Sequence, residues 1–144
     1  DIVNEYLIKA KEADGFVFGS PVHFAAISGA LSSFMDRIFY GRTEIFKNKP
    51  ACGIVSCRRG GASSAFEQIN KYFSMSNMPI VTSQYWNQVH GTTKEEVEKD
   101  LEGMQTMRTL GNNMVWILKC IEIAKKSGLE YPINEKNIKT NFIM

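Results

Sequence analysis

The sequence predicts a layered α/β domain, a doubly wound parallel sheet with helices on its faces. Two observations predict this class. Stretches of helical period alternate along the chain with short continuous apolar runs bounded by Gly and Pro, the pattern left by parallel strands joined through helices. The chain also has 144 residues, 44% hydrophobic and 22% charged, which suits one domain with its own core and not a disordered segment.

Residues 2–13 place Val3, Tyr6, Leu7, Ala10 and Ala13 on one helical face. Asp14-Gly15 breaks that helix, and Phe16-Val17-Phe18 follows as a strand apolar on both sides, which predicts helices covering each face. Gly19-Ser20-Pro21 is expected to end it. Ile27, Leu31, Phe34 and Ile38 restore the helical period up to Gly41. Residues 51–57 read as a second strand, and 62–73 as a helix carrying Ala62, Phe66, Ile69 and Phe73. Residues 78–82 read as a third strand and 83–91 as a polar-aromatic loop. Thr93 and Glu96 form a capping box for a short charged helix. The last helix is expected over 105–127, closed by Gly128. Residues 131–144 are expected to be an extended tail.

Several classes are excluded or disfavoured. A net charge of +2 without a basic block leaves no footprint for nucleic acid. Residues 16–35 lack Asp, Glu, Lys and Arg, but their Gly, Pro, Ser and His content and their change of period argue against a membrane span. Asp1 and Glu5 are acidic where a signal peptide would be basic. Three cysteines without paired spacing point to a reducing, cytoplasmic setting. Cys52 and Cys57 read as core, as does Cys120. His23 and His90 have no partner at metal-ligand spacing. The acidic residues Glu95, Glu96, Glu98 and Asp100 read as a solvated helix face.

In an open parallel sheet, ligands bind beyond the carboxyl ends of the strands. Three loops qualify. Ser20-Pro21-Val22-His23-Phe24 would make a rigid turn with outward amides, or an ordinary connection. Arg58-Arg59-Gly60-Gly61 joins two guanidiniums to a helix N-terminus, an arrangement suited to an anion or an electron-rich carbonyl edge; a solvated Arg pair in a Gly turn is the alternative. Tyr85, Trp86, Asn87 and His90 suggest a lid over a flat ligand or a subunit contact.

The run from Ala13 through Ser20-Pro21-Val22-His23-Phe24 to Phe34-Met35-Asp36-Arg37 resembles the flavodoxin-like NADPH-dependent FMN reductases, including the iron–sulfur flavoproteins. Arg58-Arg59-Gly60-Gly61 and the segment from Trp86-Asn87 through Gly91 to Leu110-Gly111 are similar to the same family. His23 stands where the family usually has Tyr. The resemblance implies a three-layer flavodoxin-like fold and FMN as cofactor, held by residues 20–24 and by Cys57 with residues 58–61. NAD(P)H would be the hydride donor, with a quinone, free flavin or similar small molecule as acceptor. It also implies a homodimer or homotetramer, and it requires no side-chain acid or base. The alternatives are a flavin-binding electron carrier served by a protein partner, and a non-catalytic fragment. Only the family's third, fourth and fifth strands are legible here. Its first strand, phosphate loop and second strand are therefore expected upstream of Asp1, which would make residues 1–144 one N-terminally incomplete domain.

Overall fold

The computed structural model describes residues 1–143; Met144, the end of the expected tail, lies outside the described residues. Four strands form one sheet in the order β2-β1-β3-β4, where β1 is Phe16–His23, β2 Ala26–Ile27, β3 Ala51–Cys57 and β4 Gln88–His90. β1 and β3 run parallel from Phe16↔Ala51 to Pro21↔Ser56, and β3 and β4 run parallel from Val55↔Gln88 to Cys57↔His90. The helices are α1 (Ile2–Glu12), α2 (Gly29–Arg42), α3 (Ala62–Met75), α4 (Lys94–Lys99) and α5 (Leu101–Lys126). A 3-10 turn, Thr43–Ile45, follows α2.

Capping sets the starts of four helices. Asp1 caps α1 by accepting from the Val3 amide, and Ser28 caps α2 through Leu31. Thr93 caps α4 through Glu96, and Asp100 caps α5 through Gly103. Each satisfies an amide that the first helical turn leaves without a partner. α3 alone starts with no side-chain cap.

α1, α2 and α3 pack on one face, over a core of Phe16, Phe18, Phe39, Phe46, Ile69 and Phe73. The ring centroids of Phe39 and Phe46 are 4.5 Å apart, and those of Phe18 and Phe73 5.7 Å. α5 covers the other face with a smaller cluster of Cys52, Val81, Leu110 and Met114.

Five expectations are corrected. β1 is covered on one face only: its residues alternate buried and exposed, and Val17 is 59% exposed. β1 also runs past Pro21 to His23 and turns into β2. Pro21 has no amide to donate, and β1 pairs on that second edge only at Val22 and His23, so proline interrupts nothing there. Residues 78–82 form one bridge, Ala51↔Ile80, and no strand. The strand that pairs with the other edge of β3 is instead β4, inside the stretch expected to be loop: pairing lapses after Ile80, the chain loops out, and it rejoins β3 at Gln88. Finally, Cys120 is exposed while Cys52 and Cys57 are buried.

Candidate functional site

The carboxyl ends of β1, β3 and β4 bring the three expected loops to one end of the sheet. The first is a hairpin. Val22↔Ile27 and His23↔Ala26 pair antiparallel, so Ser20, Pro21, Val22 and His23 lie in strand and only Phe24-Ala25 turns. Both turn residues have positive φ, 50° and 60°, a conformation uncommon for residues with a β-carbon. Three hydrogen bonds hold the hairpin in place. The Ser20 hydroxyl donates to the Pro21 carbonyl at 2.7 Å and accepts from the Ser28 amide at 2.9 Å. The Ile27 amide donates to Gln68 Oε1 of α3 at 3.0 Å. Phe24 projects fully into solvent from this fixed support.

The second loop is open. Arg58, Arg59 and Gly60 are exposed, and Gly61 precedes α3 with φ 88°. A Cβ at Gly61 would stand 2.9 Å from Ala25 Cα, so glycine lets the two loops touch. The first amides of α3 donate to no side-chain cap and lie at the same end, an arrangement that favours negative charge. Cys57 closes β3 beneath the loop, its Sγ 3.5 Å from His90 Nδ1.

The third loop divides. Tyr85 and Trp86 are half exposed, with ring centroids 5.1 Å apart. Asn87 is corrected as a lid residue, because it is buried at 1% exposure. Its Nδ2 donates to the Gly53 carbonyl at 3.1 Å, and its Oδ1 accepts from Ser83 Oγ at 2.7 Å, so it pins the base of the loop. His90 lies in β4, and its amide donates to Asp100 Oδ2 at 2.7 Å.

Two supporting residues escaped the sequence reading. Asp100 is part of no solvated face: it bonds both the His90 and Gly103 amides, the latter at 2.9 Å. A Cβ on Gly103 would stand 3.1 Å from Val89 Cα, so glycine there lets α5 start against β4. Aspartate three residues before that glycine was the available signal. Gln68 had no signal, because its role appears only once α3 lies beside β2.

The arrangement fits the ring half of a flavin: an uncapped helix start, two exposed guanidiniums, an open Gly60 and exposed aromatics on a hydrogen-bonded support. The donor set suits the polar edge of the ring, where reduction accumulates negative charge. Among the described residues no cluster of three His, Cys, Asp or Glu side chains could hold a metal ion. None of the described helices is long and apolar enough to cross a membrane.

Residues 1–93 match the family model described as NADPH-dependent FMN reductase. An iron-sulfur flavoprotein of Methanocaldococcus jannaschii is 33% identical over 130 residues, covering 85% of this chain and 67% of that protein. The chain spans 60% to 67% of the length of the curated relatives it matches. Among solved structures, RosB with bound 8-demethyl-8-formylriboflavin-5'-phosphate aligns with a TM-score of 0.63 at 16% identity, covering all of this chain and 66% of that one. The Trp repressor binding protein of Bacillus subtilis aligns at 0.61 and 15%, covering 79% and 69%. These likenesses and the mostly parallel sheet make the fold flavodoxin-like.

Proposed function

The chain belongs to the NADPH-dependent FMN reductase family, with FMN as the family's cofactor, and from that premise we propose that it is an FMN-dependent oxidoreductase passing a hydride from NAD(P)H to a small-molecule acceptor such as a quinone or free flavin. The observation that carries this reading is the contact between the two loops at Gly61 and Ala25, which sets an uncapped helix start beside a rigid hairpin. FMN, when bound, supplies the atom that takes up and gives back the hydride.

The chain's own residues bind and polarise. The amides of residues 59–61 and one of the guanidiniums of Arg58 and Arg59, beyond the carboxyl end of β3, would stabilise negative charge on a ring held there; each charge-assisted hydrogen bond is worth about 1.5–3 kcal/mol. The backbone of residues 20–24 would help hold the ring, with His23 in place of the usual Tyr. Tyr85 and Trp86 would cover it, from their own subunit or a partner's. Hydride transfer needs no acid or base from the protein, in keeping with a site of amides, guanidiniums and aromatics. The buried Cys52 and Cys57 and the exposed Cys120 are free thiols, which suits the cytoplasm.

Reconstitution of the complete protein with FMN tests the reading. Yellow absorbance that NADPH bleaches supports it, whereas a colourless protein that binds no added FMN overturns it. Steady-state turnover of NAD(P)H with a quinone or free flavin separates the reductase from an electron carrier reduced by a protein partner. Replacing Arg58 and Arg59 by Ala is expected to lower the flavin potential or weaken FMN binding; if neither changes, the second loop is outside the site.

A further inference from the structure

Reduction of a quinone-class acceptor takes up a proton as well as a hydride, and amides and guanidiniums release none near neutral pH. The chain has two histidines. His23 ends β1 exposed to solvent. His90 is held at three points. It pairs with Cys57 across β3 and β4, its amide donates to Asp100 Oδ2 at 2.7 Å, and its Nδ1 lies 3.5 Å from Cys57 Sγ. Nδ1 is thereby occupied, and Nε2, which bonds no protein group among the described residues, is left to exchange a proton. The ring borders a cavity of about 200 Å³ together with Tyr85, Gln88, Asp100, Glu102 and Thr106. That is below the roughly 300–1,000 Å³ of sites for drug-sized ligands, which suits a single small ring. Gln88 Oε1 is buried with no donor among the described residues.

We propose that His90 donates the proton to the acceptor, with Cys57 as its positioning residue and the cavity between β4 and the start of α5 as the place where a quinone ring binds. This rests on the reductase activity proposed above. Hydride transfer to one quinone oxygen leaves the other oxygen as an anion. The imidazolium Nε2–H bond breaks, an O–H bond forms on that oxygen, and the neutral imidazole regains a proton from water. The hydride itself still needs no acid or base. The product carries O–H groups that a quinone lacks, and one of them supplies the donor that Gln88 Oε1 is without, a contact made only as the acceptor is reduced. The charged and titratable groups around the ring are Cys57 of β3, Tyr85 of the third loop, and Asp100 and Glu102 at the start of α5. Glu96 of α4 is turned to the Thr92 amide. Asp100 is engaged by two amides, so it holds the backbone and not the proton. A general acid acts in its protonated form, so the quinone step should quicken as pH falls through the His90 midpoint.

Stopped-flow reoxidation of the complete protein, loaded with FMN and reduced by NADPH, is the first test. Two oxidants are compared: benzoquinone, whose reduction takes up protons, and ferricyanide, which takes electrons alone. His90→Gln should slow the benzoquinone step at least about 100-fold and flatten its pH profile, while the ferricyanide step changes by less than about twofold. Cys57→Ala should slow the benzoquinone step less and shift its midpoint. Equal slowing with both oxidants would make His90 a structural residue and overturn the proposal, as would an unchanged benzoquinone rate. The second test needs no turnover. In histidine NMR on the complete protein without FMN, Cys57→Ala should move the titration midpoint of His90 and leave that of His23; a His90 midpoint that stays overturns the pairing. A protein that NADPH leaves oxidised overturns the activity and this proposal with it, whereas reduction followed by a pH-independent benzoquinone step overturns this proposal alone.

Discussion

The two faces of the sheet are built to different standards. Under α1, α2 and α3 lies a continuous aromatic core in which Phe46, Phe73, Ile38 and Ile69 have no exposure at all. Under α5 the buried cluster is four residues, and beyond its cover Val17 faces solvent. α4, on the same flank as α5, buries none of its residues. Burial stabilises the first face, whereas hydrogen bonds substitute for it on the second, where Thr93 and Asp100 cap α4 and α5 and Asn113 donates to the Thr82 carbonyl of the loop. The candidate site spans both. Its hairpin and helix start rest on the dense face, and its lid and His90 on the sparse one.

The largest expected effect contrasts the cores directly. Phe73→Ala removes a wholly buried ring that touches Phe18 and Phe39 and is expected to cost about 3–5 kcal/mol in denaturant unfolding. Met114→Ala, at 9% exposure on the sparse face, is expected near the lower limit for such changes, about 2 kcal/mol. Equal costs would show that α5 is held as tightly as α3. Next comes Gln68→Leu, which leaves the Ile27 amide without its acceptor. It is expected to cost about 1–3 kcal/mol and to loosen the hairpin beneath Phe24, read as lower FMN affinity alongside the stability loss. Val17→Ser should stay within about 0.5 kcal/mol of the parent, and a larger loss would mean that this face is covered in solution.

These differences explain what the sequence disclosed. The helices were legible because each carries its own stripe, and a stripe repeats over three or more turns. α1 and α2 fall within two residues of their expected starts. Strand β4 was hidden because Gln88, Val89 and His90 are all half-buried and only the adjacent β3 makes them a strand. Pro21 disguised the far half of β1, since its harmlessness depends on an edge that no local pattern reveals. Phe24 and Ala25 gave no turn signal, because positive φ is ordinarily read from Gly or Asn. The three loops were found from strand order and loop chemistry together. Their supports, Gln68 and Asp100, were not found, because support depends on which elements become neighbours.

The smallest expected effect probes the substitution of capping for burial. Glu96 accepts from the Thr92 amide at 2.6 Å while its own amide donates to Thr93 Oγ1. The hydrogen bonds from Thr92, with a smaller contribution from the Arg58 guanidinium, hold its carboxyl below the ordinary 4.5. A carboxyl with a depressed folded value contributes stability above its unfolded value and loses it as pH falls through the folded one. The amides of residues 92–97 should therefore keep their NMR shifts as pH drops to about 4.5 and change below it, while those of α3 hold. Arg58→Ala should move the Glu96 midpoint upward, tying the second loop to α4. A midpoint at or above the ordinary value would mean that the capping box does not hold α4 in solution, and the sparse flank would then need another source of order.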